Sequence, residues 1–302
     1  MWDYASTVAH SDQAKKIKKR RKKLLKTIDK AKNKVSRMSD FNGDGTYRDS
    51  VVSYLTLTYR VMTDDFSKIV DMAAVAEDSY DAMDAYLKAK EIANQKLDVA
   101  GNMIDLQEHQ FAAAHGINLT ESKDLKGKKL ATAGEVFKYY NKCYLIFFRS
   151  YKQEMYMLEA LIRKDDNALQ QNLSALLKCA TEGIRKADSL KPFKNDATLK
   201  AMCKDVLVFY KTEASKDASI LINYPVKKEQ FDKLQQAYKA KAPANKTKAD
   251  DTQMKKEETE FKKVSTEYAK TLADLNKKRK DLLTKWDKTG SKFLDKQVPK
   301  NK

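Results

Sequence analysis

Between Lys15 and Lys23 the chain reads KKIKKRRKK, eight positive charges in nine residues with Ile17 as the one apolar side chain. Lys15, Lys16, Lys18, Lys19, Arg20, Arg21, Lys22 and Lys23 are the residues whose type and density point most directly to chemistry. Such a run could neutralise several phosphates or lie on an anionic surface. At about 100° per residue its charges point in every direction around a helix, so this end must project into water or onto something anionic. It has no interleaved aromatics for base stacking, which argues against single-stranded nucleic acid. Its apolar face is too thin for a helix that inserts into a membrane. A solvated, Lys-rich face explains the same residues without any partner.

Other constellations have plainer readings. DFNGDG, starting at Asp40, places Asp40, Asn42 and Asp44 where a calcium loop has its first, third and fifth ligands, with Gly45 sixth. Val51 stands where the closing carboxylate belongs, so a turn with an Asp or Thr helix cap is expected, with no metal. His109 and His115 are too far apart in phase to share a helix face, and His115, beside Gly116, suits the carbonyls of a helix end. No Glu-x-x-His or His-Glu-x-x-His pair is present. Asp64-Asp65 and Asp165-Asp166 are sequence neighbours, which diverge by about 100° on a helix and suit helix starts or solvated faces. Phosphate-cradling glycine motifs are missing, and Cys143, Cys179 and Cys203 lie on apolar stripes as core thiols with no local catalytic signature. No cofactor, metal site or catalytic residue is expected, and the protein reads as a non-enzyme.

The elements that must position these residues are helical. With 8 Gly and 4 Pro in 302 residues, and the prolines between apolar-periodic segments, an all-β fold is excluded and the class is all-α. From Glu135 to Lys164, Val136, Tyr140, Cys143, Tyr144, Phe147, Tyr151, Met155, Leu158 and Ile162 recur at helical spacing, and further apolar residues fill much of the remaining circumference. This helix should be the central strut of an elongated multi-helix bundle with long antiparallel helices. Around it, a single domain is expected over 1–302: a basic N-terminal helix over about 11–39, core helices over about 47–238, a polar linker at 239–252 and a basic C-terminal helix over about 253–288. Pro225 should stop a helix, and Gly116 should be a left-handed C-cap followed by a loop over 117–129. The last helix repeats Phe261, Tyr268, Leu275 and Leu282 at heptad intervals, a coiled-coil-like pattern that Arg279 interrupts.

One internal repeat is visible. A shift of 152 residues lays Leu24-Leu25 on Leu176-Leu177, Met38 on Leu190, Phe41 on Phe193, Asp44 on Asp196, Thr46 on Thr198 and Leu55 on Leu207. Both copies read as helix, Phe-centred turn, capping Asp and Thr, then helix, so two related helical-hairpin halves are expected, joined near 117–129.

The net charge is +18, placed unevenly. Residues 1–40 carry a balance of +9 and residues 226–302 of +10, around a middle of −1. Such asymmetry signals an anionic partner or two solvated helices. Were the terminal helices to pack, Leu24, Ile28 and Val35 would face Phe261, Tyr268 and Leu275. No apolar run approaches the roughly 18–20 residues that span a bilayer, and the first residues have no secretory hydrophobic region.

FNGDGTYRDSVVSY, QEHQFAAAHGINL, FKYYNKCYLIFFRSYKQE and FKNDATLKAMCKDVLVFYK, within about 41–211, resemble stretches of an uncharacterised family of helical bacterial surface proteins, many of them predicted lipoproteins. The resemblance implies export and a non-enzymatic surface role with no known ligand. A signal and a lipid-bearing N-terminal Cys are not read in this chain. The expectation is therefore a non-catalytic helical protein of the bacterial envelope that contacts protein or an anionic polymer at the cell surface. The alternatives are a cytoplasmic location, or polyanion binding (nucleic acid or an anionic surface) through the basic terminal helices. Nucleic acid is the less favoured of these partners, and the oligomeric state is open.

Overall fold

Caps and hairpin turns punctuate the chain where the sequence supplies side-chain acceptors. The computed structural model describes residues 1–11, 13–120 and 125–298. Among them every regular segment is helical, with two isolated β-bridges inside turns. The α-helices are α1 (Trp2–His10), α2 (Ala14–Val35), α3 (Thr46–Arg60), α4 (Phe66–Ala73), α5 (Tyr80–Ala114), α6 (Leu125–Arg163), α7 (Asp166–Ser189), α8 (Thr198–Thr212), α9 (Ala218–Ala240) and α10 (Lys248–Gln297). Single π-helical turns at Val61–Asp65 and Glu213–Asp217 join α3 to α4 and α8 to α9. No helix among the described residues is long and apolar enough to cross a membrane. The chain divides into two compact units, Met1–Leu145 with Gly290–Lys302, and Ile146–Thr289. The division falls inside α6 and not at 117–129.

In the first unit α2 packs on α1 and α3, and α3 packs on α5. Val61, Ile69 and Ala93 form an apolar cluster closed by Phe66, Tyr86, Ala89 and Leu97. Ser79 caps α5 by accepting the Ala82 amide at 3.1 Å. At its other end Gly116, at φ +63°, lets Ile117 N–H reach the Ala112 carbonyl at 2.8 Å, the six-to-one bond of a Schellman close. The basic helix expected from about residue 11 is preceded by a further helix, α1, in which Trp2, Ser6 and Ala9 are buried. The last six residues, QVPKNK, read from sequence as a frayed tail, but Val298 is buried and its N–H bonds to the Leu294 carbonyl at 2.8 Å. Residues 299–302 of that tail, and 121–124 of the expected loop, lie outside the described residues. Gly127, placed in that loop from sequence, is helical, because α6 begins at Leu125.

The second unit is a helical hairpin, α7 against α8, with the later parts of α6, α9 and α10. Phe147, Phe148 and Met157 are buried, and Phe147 stacks on Trp286 at 4.4 Å. Ile162, expected on the inner stripe, is exposed, because it lies in the last turn of α6 before the chain reverses at Lys164 (φ +56°). Asp165 then caps α7 by accepting the Ala168 amide at 2.9 Å. Pro225 does not stop the helix; it lies inside α9. Its missing amide normally costs about 3 kcal/mol in a helix interior. Here the chain is held on both sides of the proline, by Tyr224 stacked on Tyr268 at 3.9 Å and Phe231 stacked on Phe261 at 4.6 Å. The same contacts cover the apolar stripe of α10 at Phe261 and Tyr268 with α9. The expected linker shrinks to Lys241–Thr247, because Thr247 and Asp250 cap α10 reciprocally (Thr247 N–H to Asp250 at 3.0 Å, Asp250 N–H to Thr247 Oγ1 at 3.2 Å). Lys241 and Tyr238 hold Asp250 and Asp251 at 2.7 and 2.5 Å.

The internal repeat is realised element by element. Phe41 bridges Asp44 and Phe193 bridges Asp196. The turn residues have positive φ in both copies, Asn42 and Gly43 in one and Lys194 and Asn195 in the other. Asp44 and Asp196 each accept the amide and hydroxyl of the Thr two residues on, with both hydroxyl bonds at 2.6 Å. The two π turns also fall 152 residues apart.

Candidate functional site

The polybasic run occupies the first turns of α2. Lys15, Lys16, Lys18, Lys19, Arg20, Lys22 and Lys23 are exposed; Arg21 is half-buried, with Nη1 buried and unpartnered. Among the described residues the run's ion pairing is limited to Arg20 with Asp3 at 3.9 Å, an exposed pair of the kind worth little. α2 therefore offers a concentrated positive field, dense enough to hold several phosphates or carboxylates.

The Asp40–Thr46 turn uses its carboxylates internally. Asp40 takes Arg48, and Asp44 takes Thr46 and, through Oδ2, His115 Nε2 at 2.8 Å. His115 thus pairs with Asp44, where the sequence suggested the carbonyls of its own helix end. The C-terminal close of α5 leaves the ring free to turn to a stronger acceptor. The His115 contact first, then the Thr46 bonds, hold Asp44 down at about 2. Among the described residues no group of three or more His, Cys, Asp or Glu is placed to hold a metal ion. Cys143 and Cys203 are buried, and Cys179 is half-buried.

The strongest internal electrostatics lie in the second unit. Arg279, on α10, points its Nε at Glu154 Oε1 of α6 at 2.5 Å and its Nη2 at Glu213 Oε1 of the π turn at 2.6 Å. Its Nη1 donates to Asn276 at 2.5 Å. Glu154 and Glu213 are 0% and 1% exposed. Glu154 Oε2, Glu213 Oε2, the Tyr210 hydroxyl and Ser150 Oγ are buried with no hydrogen-bond partner. Two carboxylates face one guanidinium, so full ionisation would bury a net negative charge. Burial, then the neighbouring Glu154, pushes Glu213 up to about 8. Burial raises Glu154 as well, against the pull of Arg279, and lifts the Tyr210 hydroxyl well above its ordinary value. At about 8, Glu213 is the carboxyl of the cluster that keeps its proton near neutral pH.

Comparison with known proteins returns no match to a family model, a curated protein or a solved structure.

Function has to be read from the side chains. The sequence placed the eight cations on one helix, and the structure keeps them together there. It did not mark the Arg279 cluster, although a signal was present. Glu154 follows Tyr151 by three residues, Glu213 follows Tyr210 by three and Arg279 follows Leu275 by four. Each is thus a charge standing on an apolar stripe, and three such breaks with complementary signs are the pattern of a buried ion cluster.

Proposed function

We propose that this protein is a non-catalytic helical protein of the bacterial envelope that works through contacts with protein or an anionic polymer. The observation that carries it is the unanswered charge of α2: of eight cations from Lys15 to Lys23, Arg20 alone among the described residues approaches an acid. Inside the fold, Arg279 is committed to one oxygen of each of two buried glutamates, which suits a structural cluster. The envelope location is supported by the resemblance of the stretches within 41–211 to bacterial surface proteins, and export belongs to the same proposal. The alternative is a binder of nucleic acid through the basic ends; the lack of aromatics among Lys15–Lys23 disfavours it.

The test is binding of the whole chain to heparin, duplex DNA and anionic vesicles at low and moderate salt. Its comparison is a variant with Lys15, Lys16, Lys18, Lys19, Arg20, Arg21, Lys22 and Lys23 all changed to Gln. Fractionation of the producing cell accompanies it. Retention that falls steeply with salt, is lost in the variant and accompanies recovery in the envelope fraction is the expected result. Equal behaviour of the two proteins makes the run a solubilising face and removes the polymer reading. Selective retention on DNA with recovery in the cytoplasm establishes the alternative.

A further inference from the structure

Helix α5 carries two apolar stripes, and the bundle uses one. Ala93, Ala100 and Ala112 are buried, with Tyr86, Ala89 and Leu97 packed beside them. The second stripe is in solvent: Ile92, Val99, Met103 and Leu106 are 47%, 59%, 63% and 56% exposed. Their steps of seven, four and three residues are those of a heptad seam, and at about 100° per residue all four fall within about 60° of arc. At about 1.5 Å per residue the seam is about 21 Å long. Isolated exposed apolar residues are ordinary, whereas a continuous line of four marks a contact surface.

Charge says what kind of helix would cover it. Glu91, Asp98 and Asp105, all exposed, recur every seven residues along the edge of the seam that faces away from the buried stripe. Glu91 has Lys138 at 3.4 Å, while no cation among the described residues lies within ion-pair distance of Asp98 or Asp105. From Leu97 to Ala114 the helix has no Lys or Arg, and Lys96 is committed to Asp65 at 2.7 Å. The seam therefore has the layout of half a coiled coil with an acidic flank. A second copy of α5 laid antiparallel would set that acidic flank against itself. The basic helix α2 of a second copy has no seam to offer, because Ile28 is buried and Leu24 and Leu25 are half-buried in its own unit.

We infer that the Ile92–Leu106 face of α5 docks an amphipathic helix of a partner protein. The partner's apolar seam covers Ile92, Val99, Met103 and Leu106, and its flanking Lys or Arg side chains meet Asp98 and Asp105. This deepens the contact reading above and rests on it, naming the partner as a basic helix and the surface as one separate from α2.

The experiment uses the full chain and two synthetic peptides of about four heptads with the same Leu/Ile seam, one flanked by Lys and its twin by Glu. Because the chain as a whole is +18, undirected attraction would favour the Glu twin, so preference for the Lys twin reports the local edge. Fluorescence anisotropy should show the Lys twin binding at least about tenfold tighter. Met103→Glu should weaken it by about tenfold or more, and Asp98→Lys with Asp105→Lys should invert the preference. Hydrogen exchange on the unsubstituted protein should slow over 92–106 when the Lys twin is added. Equal affinity for the twins, binding indifferent to Met103→Glu, or a self-dimer in sedimentation that Met103→Glu dissolves overturns the inference. None of these outcomes touches the polymer reading, which is decided by the Gln variant, whose α5 is unaltered.

Discussion

Val61 and Glu213 occupy the same place in two copies of one hairpin, each opening a π turn that follows a helix started by an Asp-Thr cap. In the first unit the position is apolar, and Val61 joins Ile69 and Ala93. In the second it is a carboxylate clasped by Arg279. The neighbouring positions diverge in the same sense. Trp2 and Thr58 stand 152 residues before Glu154 and Tyr210, all four buried. The backbone device is thus independent of the chemistry it carries. A π turn widens the helix by one residue and turns the first side chains of the turn inward (Val61 and Met62, Glu213 and Ala214) whatever they are. What α5 or α10 then brings to that place decides whether an apolar or a charged group is tolerated.

The comparison breaks most sharply when one copy is given the other's residue without its partner. Val61→Glu puts a carboxyl into the Ile69–Ala93 cluster with no cation, and Arg279→Met leaves two carboxyls facing each other. Each is expected to cost about 3–5 kcal/mol in denaturant unfolding. A loss under 1 kcal/mol would show that water reaches these sites. The converse makes the second unit resemble the first: Glu154→Met, Glu213→Val and Arg279→Leu together should be neutral or stabilising by about 1–4 kcal/mol, since the desolvation cost disappears with the pair. Unfolding of the triple variant at the cost of the single one would mean that the ions specify the packing.

The pH response sharpens the same contrast. A carboxyl whose folded value is raised binds its proton more readily in the native than in the unfolded state. The Glu213 contribution to stability should therefore fall as pH rises from about 4.5 to about 8, by at most about 1.4 kcal/mol per pH unit. Glu213→Gln should flatten that slope; a slope that persists would assign the proton elsewhere. Asp44 acts in the opposite sense. Its contribution is present above its ordinary value and is lost as the pH falls towards 2, so Asp44→Ala should lower the melting point at neutral pH and blunt acid sensitivity. Its counterpart Asp196 caps the equivalent turn, and Asp196→Ala should cost about 1 kcal/mol. The smallest effect belongs to the exposed cations of α2: Lys15, Lys16, Lys18, Lys19, Lys22 or Lys23 changed singly to Gln should leave stability within about 0.5 kcal/mol, since exposed positions rarely do more.

Much of this architecture was legible because it depends on neighbours a few residues apart. Period and glycine poverty marked the helices, Asp44 with Thr46 and Asp196 with Thr198 marked the two caps, and the 152-residue offset tied the hairpins together. The run from Lys15 to Lys23 is likewise a local fact, and α2 keeps it in solvent. Where local reading failed, a distant residue had altered the balance. Pro225 reads as a stop until Tyr268 and Phe261 clamp α9 on either side of it. Residues 239–252 read as a linker until Asp250 and Asp251 find Thr247, Lys241 and Tyr238. Met103 and Leu106 read as ordinary helix residues, and only packing shows that they were left outside.

The sequence by itself therefore determined the class, most helix positions, the caps and the repeat, because hydrogen bonding and apolar periodicity along a helix are set within one or two turns. Tertiary structure alone decided which charges went inside. Glu154 lies 125 residues from Arg279, and Glu213 lies 66 residues from it. A buried ion is tolerated only when its counter-ion arrives with it, and that arrival depends on how α6, α8 and α10 pack rather than on any one of their sequences.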